Sequence, residues 1–242
     1  HWSSCIEGSH NLCRTAQPTI IGSNGGFADR LRSHWAWALA IPDGLDPAMA
    51  GPLFCAGSTV FNPLLEFAIK PTDRVGVVGI GGLGHLALRF LNAWGCEVTA
   101  FTSSKGKEDE ARRLGAHKVV ASTDSDALKA IAGSLDFLLV TANADLAWPD
   151  MLATLRGKAR LHFVGIVPNA IPVHVFVLIP QQKNLSASPV GSPSNTATML
   201  EFCARHQILP QVEMFPMSQV NAAIDHLRSG KARYRVVLDA SK

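Results

Sequence analysis

One stretch constrains this chain more than any other. After Arg74, Val75-Gly76-Val77-Val78 forms a short continuous apolar run, and Gly79-Ile80-Gly81-Gly82-Leu83-Gly84 follows it directly. A continuous run of this kind suits a strand buried on both faces of a sheet. Residues 83–94 then show helical spacing, so the glycines stand on a strand-to-helix turn. In that context G-x-G-x-x-G has specific physical content. Gly79 permits a tight turn, Gly81 lets backbone N–H groups approach a pyrophosphate, and Gly84 allows close packing of helix on strand. The helix N-terminus adds the positive end of its dipole. An ordinary glycine-rich turn is the plainer alternative, and the strand–helix–strand context weighs against it.

The alternation continues downstream. Residues 97–101 are β-rich, 107–114 helical, 118–121 strand-like, 126–132 helical, 135–140 an apolar strand, 146–155 helical and 160–165 a strand. This order predicts an α/β fold, a doubly wound parallel sheet with helices on both faces. Residues 196–204 and 218–228 read as late helices and 234–238 as a closing strand. Residues 1–55 are irregular, with turn signals at Asn24-Gly25-Gly26 and Pro42-Asp43-Gly44. Alternation over 27–32 predicts a short strand there. Asp46-Pro47 opens a helical stretch over 48–65, with Pro52 and Pro63 expected to limit each piece.

The end of the second strand bears on which dinucleotide binds. A site for NAD usually places Asp or Glu about 20 residues after the glycines, on the ribose 2′-OH. Here the chain reads Ala100-Phe101-Thr102-Ser103-Ser104-Lys105-Gly106-Lys107, with no carboxylate until Glu108. Hydroxyls and lysines suit a 2′-phosphate, through charge-assisted hydrogen bonds. The plainer reading is a solvated loop with Ser104 as the cap of the next helix.

Composition excludes several classes. With 242 residues, 47% hydrophobic and 17% charged, the chain can bury a large core and is not disordered. The net charge of +3 is spread without a Lys/Arg run, so no nucleic-acid partner is expected. No apolar stretch reaches the roughly 18 residues of a bilayer span, so no membrane partner is expected either. Five scattered cysteines do not make a disulfide framework. Cys96 and Cys203 read as buried thiols, consistent with a cytoplasmic location.

Five ordered motifs make the chain recognisable. They are Cys5 with Cys13; Gly25-Gly26-Phe27-Ala28; Ala50-Gly51-Pro52-Leu53-Phe54-Cys55-Ala56-Gly57-Ser58-Thr59-Val60; the glycine turn with His85; and Lys231-Ala232-Arg233-Tyr234-Arg235-Val236-Val237-Leu238. Together they resemble the zinc-dependent medium-chain alcohol dehydrogenases, in particular the cinnamyl-alcohol-dehydrogenase-like branch. The resemblance implies a Rossmann domain over 56–191, flanked by remnants of a GroES-like β-rich catalytic domain at 1–55 and 192–242. It implies an oxidoreductase passing a hydride between NADP(H) and a zinc-bound primary alcohol or aldehyde, in a homodimer. Cys55 matches a catalytic zinc ligand, and Thr59 a residue near the nicotinamide. Gly79, Gly81, Gly82, Leu83 and Gly84 match the pyrophosphate turn, and Thr102, Ser103 and Lys107 the 2′-phosphate contacts. Thr141, Gly165, Ile166, Ser188 and Val190 fall where strands of this fold end and ligand binds. Phe54, Trp35 and Trp37 fit substrate-pocket or core positions, core being the better reading.

The resemblance is incomplete at both metals. Family members begin upstream of the position of His1, and that stretch carries their other catalytic zinc ligands. The family's structural zinc lobe has four cysteines. Here Cys5 and Cys13 stand alone, with Trp2 at one vacant position. Structural zinc takes four protein ligands and catalytic zinc usually three. The 242-residue chain is therefore expected to bind NADPH without reducing aldehydes by itself. Two other readings are a truncated module that binds NADP without catalysis, and a zinc-independent quinone or enone reductase. Cys55 in its zinc-type context weighs against the latter.

Overall fold

The computed structural model describes residues 3–22, 25–28, 30–104 and 106–241. Asn24, Asp29 and Trp2, which entered the sequence reading, lie outside them. The chain divides into two compact units, Thr59–Pro189 and the combination of His1–Ser58 with Val190–Lys242.

The second unit opens with α1 (Ser3–Ile6) and irregular chain, then α2 (Pro47–Ala50). Asp46 caps α2, its carboxylate accepting from the Ala48 N–H at 2.9 Å, with Pro47 at the first helical position. A 3-10 turn at Gly51–Phe54 leads to α3 (Ala56–Glu66). Pro63 lies inside α3 and does not end it. Proline removes one helix hydrogen bond. The buried Val60, Phe61 and Leu64 hold the helix in place regardless. Among the described residues of the expected 27–32 no strand forms, and Phe27 and Leu31 are exposed.

In Thr59–Pro189, β1 (Arg74–Val78), β2 (Glu97–Thr102), β3 (Lys118–Ala121), β4 (Leu135–Val140), β5 (Leu155–Phe163) and β6 (Asn184–Ala187) form one sheet. Its order is β3-β2-β1-β4-β5-β6, and every pair is parallel. The connecting helices are α4 (Gly84–Trp94), α5 (Glu108–Arg113), α6 (Ser125–Ala130) and α7 (Trp148–Ala153). This is the predicted doubly wound Rossmann sheet.

Both faces of the sheet are covered. On one, Phe61 of α3 meets Phe90 and Trp94 of α4 edge to face, at 5.2 and 5.7 Å. On the other, Leu128, Trp148, Met151 and Leu152 pack with Val78, Phe101, Leu138 and Val140. Double coverage is why β1 and β4 read as continuous apolar runs. At the start of the sheet, Asp136 of β4 accepts the Arg74 N–H at 2.8 Å and the Arg74 and Arg156 guanidiniums. Burial works to raise that carboxyl, but these donors outweigh it and hold it below the usual carboxylate range.

The remaining elements are α8 (Pro193–His206), β7 (Val212–Pro216), α9 (Val220–Arg228) and β8 (Arg235–Asp239), with β7 and β8 parallel. Two strands, β6 and β7, were not expected. Asn184-Leu185-Ser186-Ala187 is too short and mixed to show a strand pattern by itself. Among the described residues, no single helix is long and apolar enough to cross a membrane.

Candidate dinucleotide site

The glycine turn has the predicted construction. Gly79 adopts φ +92°, where only glycine is unstrained, and its N–H donates to the Phe101 carbonyl at the end of β2. A Cβ on Gly84 would sit 1.8 Å from the Gly79 carbonyl oxygen, so the first turn of α4 can lie against β1 only with glycine there. A Cβ on Gly81 would meet nothing within 4 Å, so its open side faces free space. Gly81, Gly82 and Leu83 are partly exposed at the N-terminus of α4. That leaves the helix N–H groups presented to an anion. His85 is fully buried, and its Nδ1 donates to the Gly81 carbonyl at 2.9 Å, stiffening the turn from below.

The end of β2 lies beside this turn. Lys107 reaches back so that its ammonium donates to the Ile80 carbonyl at 3.1 Å. Thr102 Oγ1 accepts from the Ser104 N–H, and Ser103 is exposed. Ser104 is not the cap of the next helix: Lys107 occupies that position and α5 starts at Glu108. The acidic first turn of α5, Glu108, Asp109 and Glu110, suits the helix dipole without a capping hydroxyl. Thr102, Ser103 and Lys107 therefore stand together at one strand end, with a cation already touching the glycine turn.

The third turn is bound to the first. Thr141, after β4, is buried, and its hydroxyl donates toward the carbonyls of Val78 and Gly79, at 3.0 and 2.9 Å. Gly165, after β5, approaches so closely that a Cβ would lie 2.5 Å from the Ala142 carbonyl. The Ile166 N–H donates to Asn143 Oδ1, leaving the Ile166 side chain exposed. Ser188, after β6, hydrogen-bonds His162 Nε2 at 2.9 Å, while Ser186 meets Nδ1 at 2.8 Å. His162 is fully buried, and desolvation, helped by the charge on Arg160, pulls its pKa down to about 4. It is thus a neutral crosspiece. The carboxyl ends of β2, β1, β4, β5 and β6 hold Thr102, Gly79, Thr141, Gly165 and Ser188 in this order along the sheet. Thr59 is buried within α3.

Sequence reading did not find His162, His85 or Asn143 in these roles. Its one usable signal was a histidine set between the apolar Leu161 and Phe163. Nor did it anticipate Ile80, whose contribution is a backbone carbonyl and leaves no residue-type trace.

The carried-over metal residues lie in the other unit. Cys55 is exposed at the turn before α3, within electrostatic reach of the Arg235 guanidinium. Burial lowers the Arg235 pKa and the Cys55 charge opposes that shift. Cys5 and Cys13 are partly exposed free thiols. A hydrogen bond from Thr15, above all, pulls the Cys13 thiol below its ordinary value. Among the described residues no group of three or more His, Cys, Asp or Glu could hold a metal ion. These residues by themselves fit neither a catalytic nor a structural zinc. In the same unit, Val190 accepts at its carbonyl from Asn11 Nδ2, at 2.8 Å. Trp35 and Trp37 do not pack in a core as expected: they are 80% and 42% exposed. They lie in a 3-10 turn, Trp35–Trp37, none of whose residues is buried.

Comparison with known proteins matches this construction. The zinc-binding dehydrogenase family matches residues 82–205. An aldehyde reductase, AdhA, of Synechocystis sp. is 52% identical over 239 residues, covering 99% of this chain and 71% of that protein. A cinnamyl alcohol dehydrogenase structure from Sorghum bicolor superposes with a TM-score of 0.92 at 33% identity, covering 100% of this chain and 71% of that one. The cinnamyl alcohol dehydrogenase of Helicobacter pylori, complexed with NADP(H), gives 0.87 at 25% identity, covering 100% and 72%. With the glycine turn, the sheet order and these likenesses agreeing, the chain belongs to the zinc-binding dehydrogenases, among the cinnamyl-alcohol-dehydrogenase-like alcohol dehydrogenases.

Proposed function

We propose that this chain binds NADP(H) in preference to NAD(H) and serves hydride transfer between its nicotinamide and an aldehyde or primary alcohol. The observation that carries the cofactor choice is the end of β2, where Thr102, Ser103 and Lys107 stand in place of a carboxylate. A 2′-phosphate would take the Lys107 ammonium and the two hydroxyls. The NADP(H)-complexed relative and the aldehyde reductase relative support the same reading.

The roles divide by position. Backbone N–H groups of Gly81, Gly82, Leu83 and Gly84 hold the pyrophosphate, with Gly79 shaping the turn. Thr141, Gly165, Ile166 and Ser188, with Thr59, line the path toward the nicotinamide, and Val190 is a further cofactor residue by resemblance alone. In aldehyde reduction the hydride goes from the dihydronicotinamide to the carbonyl carbon and a proton goes to the oxygen, leaving NADP+ and an alcohol. In this family zinc polarises the carbonyl. Cys55 is one carried-over thiolate ligand against the three a catalytic site takes, so no metal step is assigned to the residues described. A homodimer and a cytoplasmic location follow from the resemblance, and size-exclusion chromatography and fractionation test them.

Titration of the purified chain with NADPH and with NADH tests the reading. Tighter NADPH binding supports it, and equal affinity overturns it. The same preparation is assayed for metal content and for aldehyde-dependent NADPH oxidation. Chelator-resistant turnover would favour the quinone or enone reductase.

A further inference from the structure

His162 is a fully buried histidine on β5, a strand with Leu139 of β4 on one side of it and Ser186 of β6 on the other. Ser188 follows Ser186 by two residues, so both serines lie on the face that carries the ring. Both ring nitrogens are taken, Nδ1 by Ser186 Oγ at 2.8 Å and Nε2 by Ser188 Oγ at 2.9 Å. Phe67 meets the ring edge to face at 4.9 Å, and Phe137 lies tilted against it at 5.9 Å. The imidazole is thus fixed by packing and by two hydrogen bonds. Burying it costs free energy that an apolar residue would not incur, so those two bonds are what the histidine adds. They matter most at β6. That strand lies at the edge of the sheet, has four residues, and its ladder to β5 ends with Ala187 opposite Phe163. Beyond it the Ser188 N–H donates to the Phe163 carbonyl at 3.2 Å, and Pro189 has no N–H to continue. The His162–Ser188 bond holds the chain where the ladder gives out.

We propose that His162 is a positioning residue for the nicotinamide half of the cofactor, acting through Ser188. This rests on the dinucleotide reading above, in which Ser188 lines the path toward the nicotinamide. The 2′-phosphate end is assigned in that reading to Thr102, Ser103 and Lys107, after β2, and β1, β4 and β5 lie between β2 and β6. His162 therefore acts on one half of the ligand and not on the other. With Ser188 held by the ring, the backbone at Ser188 and Pro189 is ordered before the cofactor arrives, and the entropy of ordering it does not weaken binding.

Two ligands separate the halves. NADPH carries the nicotinamide, whereas 2′,5′-ADP keeps the adenosine and phosphates without it. Calorimetric titration of His162→Leu should show NADPH binding weakened about five- to tenfold, the effect of one neutral hydrogen bond, with 2′,5′-ADP binding unchanged. His162→Gln, whose amide reaches both serines, should restore the NADPH affinity. Ser188→Ala approaches the same bond from the edge strand and keeps the test open should His162→Leu fold poorly. It should reproduce the selective loss, and the double variant should bind NADPH no more weakly than either single one. An equal loss for both ligands overturns the proposal in favour of a role in the fold alone. Unchanged NADPH affinity in His162→Leu, or additive losses in the double variant, overturn it as well. The cofactor reading fails by a different result, tighter or equal binding of NADH by the unsubstituted chain. In that event NADH against ADP gives the same split and still decides the role of His162, while binding of none of these nucleotides would overturn both.

Discussion

The Lys107 ammonium donates a hydrogen bond to the Ile80 carbonyl, 3.1 Å away, joining the residue before α5 to the glycine turn. A cation thus stands between the pyrophosphate turn and the end of the second strand. Lys107→Ala should remove one charge-assisted hydrogen bond to a 2′-phosphate, weakening NADPH binding by roughly 1.5–3 kcal/mol. Binding of NADH should hardly change. Fluorescence titration with both cofactors checks this, and a parallel loss for NADH would assign Lys107 to the turn's shape instead.

Gly81 and Gly84 should respond differently to alanine. Gly84→Ala drives a Cβ into the Gly79 carbonyl at 1.8 Å and should destabilise the fold by roughly 3 kcal/mol, the upper range for overpacking. Gly81→Ala meets open space and should leave the thermal midpoint nearly unchanged while weakening NADPH binding. Thermal melts and cofactor titrations separate the two effects.

His162 predicts an acid-sensitive fold. Its folded pKa, about 4, lies below the ordinary 6.5, because burial between Ser186 and Ser188 disfavours the cation. Its contribution is therefore complete above pH 6.5 and is lost as the pH falls toward 4. The loss should be on the order of 3 kcal/mol. His162→Gln keeps hydrogen bonds to both serines and cannot titrate, so its urea midpoint should vary less across that window. An identical pH dependence in the variant would remove His162 as the cause.

Asp136→Asn should leave the Arg74 and Arg156 guanidiniums without their anion and destabilise the chain by roughly 1–3 kcal/mol. The carboxyl sits below its ordinary 3.8, so its contribution is present above that pH and fades below it. Urea denaturation at neutral and acid pH should show the two chains converging in acid.

Much of the fold was legible because its signals are local. Strands covered on both faces must be continuously apolar, as Val75–Val78 and 135–140 are. A helix packed directly on a strand end needs glycine at position 84, and a reversal at φ +92° needs it at 79. Sequence by itself thus determined the alternating elements, the glycine turn and the lack of a carboxylate after β2. Tertiary structure alone decided that Lys107 meets Ile80, that His162 lies between Ser186 and Ser188, and that Thr141 ties down Gly79. It also decided that Trp35 and Trp37 stay exposed and that Asn184–Ala187 becomes the sixth strand. The reason is physical. Each of those contacts joins residues 24 to 62 positions apart, brought together by crossovers between parallel strands, and local periodicity does not encode strand order.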